Sequence, residues 1–101
     1  MGNPDRYYKM ALQAFAHSLV CMDNLKMARE LFEEKSEEKL EKFILQKKEQ
    51  IEEKTFYYNA GMACQYVLEE ANREGCDAFN ASIGGLNEFE YFIGIQEDEE
   101  D

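Results

Sequence analysis

Proline occurs once in these 101 residues, at Pro4, and no glycine falls between Gly2 and Gly61. The residues that most often interrupt a helix are therefore missing from more than half of the chain, and helix is the expected conformation there. Histidine also occurs once, at His17. That scarcity removes most arrangements in which serine or cysteine is activated as a nucleophile, because a base must lie within reach. Cysteine occurs three times, at Cys21, Cys64 and Cys76, with no CxxC spacing. Three thiols cannot all pair within one chain, which argues against a stapled secreted fold and for a reducing compartment. No apolar run reaches the length of a membrane span, and MGNPDRYYKMALQAF lacks the basic and continuous apolar regions of a secretory signal. The expected location is the cytoplasm, with no membrane partner.

Basic residues are the last scarcity. Lysine and arginine total 11 against 22 acids, for a net charge of −11. The imbalance is not spread evenly. Residues 1–54 are nearly balanced, whereas residues 55–96 hold Glu69, Glu70, Glu74, Asp77, Glu88 and Glu90 against Arg73 alone, and residues 97–101 are all acidic. Such a half-molecule repels a phosphate backbone, so direct nucleic-acid binding is not expected and a basic protein partner is.

What is present is a helical pattern. Asn3, Pro4 and Asp5 supply an N-cap acceptor, a proline at the first helical position and an acid near the positive end of the dipole. From there Tyr8, Leu12, Phe15, Leu19, Met22, Leu25, Ala28 and Phe32 recur three or four residues apart. The pattern predicts a first helix running to about residue 35, with Asp23 and Asn24 as a second possible break. Ser36, followed by Glu37 and Glu38, starts a second helix that runs to Glu74 and stops at Gly75. A turn at 35–36 folds the two antiparallel, pairing Leu31 with Leu40, Ala28 with Phe43, Phe15 with Phe56, Ala11 with Ala60 and Tyr8 with Ala63. Between Glu49 and Glu53 only Ile51 offers an apolar side chain, so the middle of this hairpin is thin.

The stretch TFYYNAGMACQYVL at 55–68 is apolar on more than one face. Phe56, Ala60, Ala63, Val67 and Ala71 form one stripe, and Tyr58, Met62, Tyr66 and Leu68 another, with Gly61 expected to allow close backbone approach. A helix apolar on several faces needs several neighbours. The first helix covers one; the other falls to the C-terminal segment or to a second copy of the chain. That segment is read as short helices at about 77–83 and after Asn87, although Phe89, Tyr91, Ile93 and Ile95 also alternate as a strand would. The fold class is therefore all-α: a long antiparallel helical hairpin plus one or two short C-terminal helices, completed by self-association into a helical bundle. Residues 1–96 form one helical domain and residues 97–101 a disordered acidic tail.

Chemistry is sparse. His17 and Cys21 are four apart, a spacing that permits two metal ligands, but the hairpin register sets Cys64 roughly 20 Å away. Glu30, Glu33, Glu34, Glu37, Glu38 and Glu41 are interleaved with lysines and arginine, as on an ion-paired surface. Gly84 and Gly85 are not followed by the lysine of a phosphate loop. No enzyme, cofactor or metal site is expected. The partner-binding face is assigned to Glu69, Glu70, Glu74, Asp77, Glu88 and Glu90. Tyr7, Tyr8, Tyr57, Tyr58, Met62 and Tyr66, expected to converge at the open end of the hairpin, are the candidate interface aromatics. The function these features suggest is binding, with inhibition, of a basic nucleic-acid-binding protein, as small phage or mobile-element inhibitors do. The alternatives are a helical homo-oligomer that encloses a small ligand at its aromatic end, or a scaffold subunit.

Overall fold

The computed structural model describes residues 3–94, all of whose regular elements are helices: α1 (Pro4–Val20), α2 (Leu25–Phe32), α3 (Glu37–Gln50), α4 (Glu53–Glu74) and α5 (Cys76–Ile93). The acidic tail expected at 97–101 lies outside the described residues. Caps mark three of the starts. The side chains of Asn3, Asn24 and Ser36 accept from the backbone N–H groups of Asp5 (3.0 Å), Met27 (3.1 Å) and Lys39 (3.2 Å).

Both halves of the expected hairpin are broken where its middle was thin. The first half stops at Val20, and the chain restarts at Leu25 behind the Asn24 cap, so the second possible break is used as well as the turn before Ser36. The second half breaks at Ile51, whose φ of −120° and ψ of 166° are extended, while its N–H still reaches the Lys47 carbonyl at 3.1 Å. With one apolar side chain between Glu49 and Glu53, little is gained by continuing a helix there. The breaks change the pairing. Phe15 and Phe56 do meet, with ring centroids 4.9 Å apart, but α2 packs chiefly on α1, not on α3 as a turn at 35–36 requires.

The centre of the fold is α1, which packs against all four other helices. Its Tyr7, Leu12, Phe15, Ala11 and Ala16 are almost wholly removed from water. Phe15 also meets Phe89 of α5 edge-on at 5.5 Å, joining three helices through one ring.

The C-terminal segment is one helix of 18 residues, not two short ones. It turns back from α4 through Gly75 alone, whose φ of +117° suits only glycine, and it lies along α1 and α4. This is the neighbour that the first stripe of α4 required. Phe56, Ala60, Ala63, Val67 and Ala71 are all buried within a single chain, so no second copy is needed to cover them.

Gly85 explains why α5 does not break at its glycine pair. A Cβ there would stand 2.5 Å from the Pro4 carbonyl oxygen and 2.8 Å from the Tyr8 amide nitrogen, on the first turn of α1. The close approach of two backbones offsets the propensity cost of the glycines, about 1 kcal/mol each. Gly84 would place its Cβ at an ordinary 3.6 Å from the Pro4 ring, and Gly61, expected to sit at a close contact, has nothing within 4 Å. One substitution at three sites should therefore give opposite results in denaturant unfolding. Gly85→Ala is expected to destabilise by about 1–3 kcal/mol through overpacking. Gly84→Ala and Gly61→Ala are expected to be neutral or to stabilise by up to about 1 kcal/mol. Equal effects at all three would contradict the α1–α5 contact.

Candidate functional site

The six acids assigned to one face are not equivalent. Glu74, at the end of α4, is held in a two-pronged pair by Arg6 of α1, with Nη1 to Oε1 at 2.7 Å and Nη2 to Oε2 at 2.9 Å. The Tyr7 hydroxyl donates to the same Oε1 at 2.6 Å. These bonds from Arg6 and Tyr7 hold the Glu74 carboxyl at about 2, against an ordinary value of 4.5, while burial and Glu74 together raise the Tyr7 hydroxyl. Glu74 thus ties the start of α1 to the end of α4. Glu70 pairs with Arg73, and Glu69 accepts from Gln65 at 3.2 Å.

Asp77, Glu88 and Glu90 belong to α5, a helix with no lysine, arginine or histidine in its length. Asp77 and Glu88 are exposed on its outer side with Asn80, Asn87 and Tyr91. Tyr91 is 72% exposed, and Ile83, at the edge of this strip, 44%. Glu90 is only half-exposed; burial, and after it the charge of Glu90, pushes the half-buried Cys64 thiol up to about 11. The thiol is therefore protonated at neutral pH.

One meeting of acids is not visible in the sequence. The Tyr8 hydroxyl donates to Glu41 of α3 at 2.6 Å. Burial, this bond and the charges of Glu88 and Glu37 all raise the tyrosine far above its ordinary value. Carboxylates from the turn and from the C-terminal helix thus gather at one place. Nothing in the spacing along the chain signals it, because the fold alone brings α3 and α5 to the two sides of α1.

The aromatics do not converge. Tyr7 and Tyr8 are buried on α1 and spend their hydroxyls on Glu74 and Glu41. Tyr57 donates to the Ile93 carbonyl at 3.2 Å beside Lys48, which donates to the same oxygen at 2.8 Å, so it seals the end of α5. Tyr58 is 68% exposed. Only Met62 and Tyr66 share a hollow, an apolar groove of about 280 Å³ between α1, α2 and α4 that is also lined by Ala14, His17, Ser18, Ala63 and Phe32. Burial raises the Tyr66 hydroxyl there. A larger hollow of about 490 Å³ lies at the α4–α5 elbow, but its Arg6 and Glu74 are already joined to each other.

His17 and Cys21 do not face a common point. His17 Nδ1 lies 2.9 Å from the Ala28 carbonyl, and Cys21 Sγ donates to the Ser18 carbonyl at 3.6 Å. Among the described residues no three His, Cys, Asp or Glu side chains gather as a metal would require, and no helix is long and apolar enough to cross a membrane.

The Glu74 clamp has a pH signature. Its folded carboxyl titrates below its unfolded one, so its stabilisation is complete above pH 4.5 and is lost as pH falls toward 2. Unfolding of wild type and Glu74→Gln, compared from pH 7 to pH 2, should show wild type more stable by a constant margin above about pH 5.5, with the margin closing at acid pH. A margin independent of pH would show that the charge of Glu74 contributes nothing.

Comparison of the chain with known protein families, with curated proteins and with solved structures finds no match.

Proposed function

We propose that this chain is a non-enzymatic acidic interaction protein that binds a basic nucleic-acid-binding protein and inhibits it by occupying its basic surface, as small phage or mobile-element inhibitors do. The observation that carries this reading is the outer side of α5. From Asp77 to Tyr91, about 21 Å at helical rise, it offers carboxylates and amides with no cation of its own and an exposed tyrosine among them. Exposed carboxylates steer a basic partner toward the surface, and tyrosine is enriched where proteins grip one another. The same lysines and arginines that hold phosphates would be the partner's contact. Of the six acids first assigned, Asp77 and Glu88 are the ones the reading retains as partner contacts. Glu69, Glu70 and Glu90 add field, and Glu74 belongs to the clamp.

Self-association is the second reading. Its support is the exposure of Tyr58 and Met62, 68% and 43%, since the other stripe of α4 is covered within the chain.

A photo-cross-linking residue at position 91, with position 45 on α3 as control, tests the first reading in the host cell. Adducts are expected from position 91 and not from 45, and the adducted protein should be basic. Asp77→Lys with Glu88→Lys should abolish them, once circular dichroism shows the helices intact. Raising salt should do the same as the screening length shrinks from about 10 Å toward 3 Å. Adducts indifferent to salt and to both reversals would remove the electrostatic reading, and adducts between two copies of the chain would favour self-association.

A further inference from the structure

Residues 55–68 of α4 carry no charge, in a chain of which 33% of residues are charged. One side of this stretch, with Phe56, Ala60, Ala63 and Val67, is buried against α1 and α5. The other side is open: Lys54, Tyr58, Gly61, Met62, Gln65 and Glu69 are all exposed. At about 100° per residue, these six lie within about 50° of one line along the helix. They form a single narrow face, whose only charges are a lysine at one end and a glutamate at the other. Gly61 has no role within the chain. A Cβ there meets nothing within 4 Å, so no internal contact offsets its cost of about 1 kcal/mol in a helix interior.

This face is complementary to its own reverse. Lys54 and Glu69, Tyr58 and Gln65, and Gly61 and Met62 stand at equal distances on either side of a midpoint between residues 61 and 62. A two-fold axis through that midpoint, perpendicular to α4, lays a second copy of the helix antiparallel on the first. Lys54 then stands level with Glu69 of the second copy at both ends, about 11 Å from the axis. Among the described residues no acid pairs with Lys54. Glu69 accepts only from Gln65, at 3.2 Å, and keeps lone pairs for a lysine. That bond uses the Gln65 amide nitrogen, so the Gln65 carbonyl is left to accept from the Tyr58 hydroxyl of the second copy. At the centre Met62 meets its own copy, and Gly61 leaves room for the two flexible thioethers. A parallel pair would set lysine against lysine and glutamate against glutamate, so charge selects the antiparallel one. The uncharged centre also keeps acids out of the contact between two chains of net charge −11.

We infer that α4 pairs antiparallel with α4 of a second copy of the chain, about a two-fold axis between Gly61 and Met62. The pairing rests on the self-association reading, to which it gives a face, a register and a symmetry. A contact about 22 Å long on one helix is a small interface, so the dimer is expected to be weak.

Sedimentation equilibrium at concentrations up to millimolar reads the association, once circular dichroism shows each variant folded. Wild type should dimerise. Lys54→Glu and Glu69→Lys should each weaken the dimer about three- to tenfold, since two exposed pairs are lost and like charges meet. The double variant keeps the wild-type net charge and should restore wild-type association. An equimolar mixture of the two single variants should associate more tightly than either alone, because each end then meets its opposite. A photo-cross-linking residue at position 58 should give adducts near Gln65 of the second copy. A chain that stays monomeric throughout would overturn both the pairing and the self-association reading. A dimer that the double variant does not restore, or whose adducts from position 58 map away from α4, would overturn the pairing and leave self-association standing.

Discussion

One helix touching every other is the constraint on which this structure depends. With only about a hundred residues there is enough apolar surface for one modest core, and α1 occupies its centre. Its small residues, Ala11, Ala14 and Ala16, let neighbours come close, while Phe15 fills the space where α4 and α5 meet it. The tightest approach is made by backbone: Gly85 of α5 lies against the first turn of α1, where no side chain fits. The Arg6–Glu74 pair with Tyr7 fastens the same end of α1 to α4. Because several of the pair's atoms remain in contact with solvent, its worth lies in fixing position more than in strength.

The surfaces available for function are what this arrangement leaves over. α5 uses one side on α1 and α4, so its other side, with Asp77, Glu88 and Tyr91, faces water and carries no cation. α2 buries only Ala28 fully, and its Phe32 stands at the edge of the groove over Ala14, His17 and Ser18. Local charge separates the two surfaces. The first presents carboxylates, the second aromatic and apolar side chains.

Much of this was legible in the sequence, and the limits have physical causes. The helical class followed from the missing breakers, the first cap from Asn3, Pro4 and Asp5, and the turn from Ser36. The Phe15–Phe56 contact followed from counting around that turn. The need of α4 for a second neighbour was visible in its two stripes; that α5 supplies it was not, because Gly84, Gly85 and Asn87 disfavour a continuous helix locally and only the contact with α1 compensates. The break at Ile51 was foreshadowed by the thin patch of the hairpin. The site was harder to read. Composition showed that acids collect beyond residue 54, but it could not show that Arg6, 68 residues before Glu74, takes that acid out of the set. Neither could it show that Glu37 and Glu41 join Glu88 around Tyr8. The tyrosines were grouped by position along a hairpin. Their hydroxyls instead went to separate partners, since buried polar groups must be paired wherever the fold puts them.

α5 is expected to carry the surface most attractive to cations. It can be measured on the chain alone, by comparing the relaxation that cationic and anionic nitroxides impose on backbone amides. The cationic probe should act more strongly than the anionic one at Asp77, Asn80, Asn87 and Tyr91, and this preference should be weak or reversed along α3 near Lys39, Lys42 and Lys47. Equal preference along the two helices, or a stronger one along α3, would contradict it.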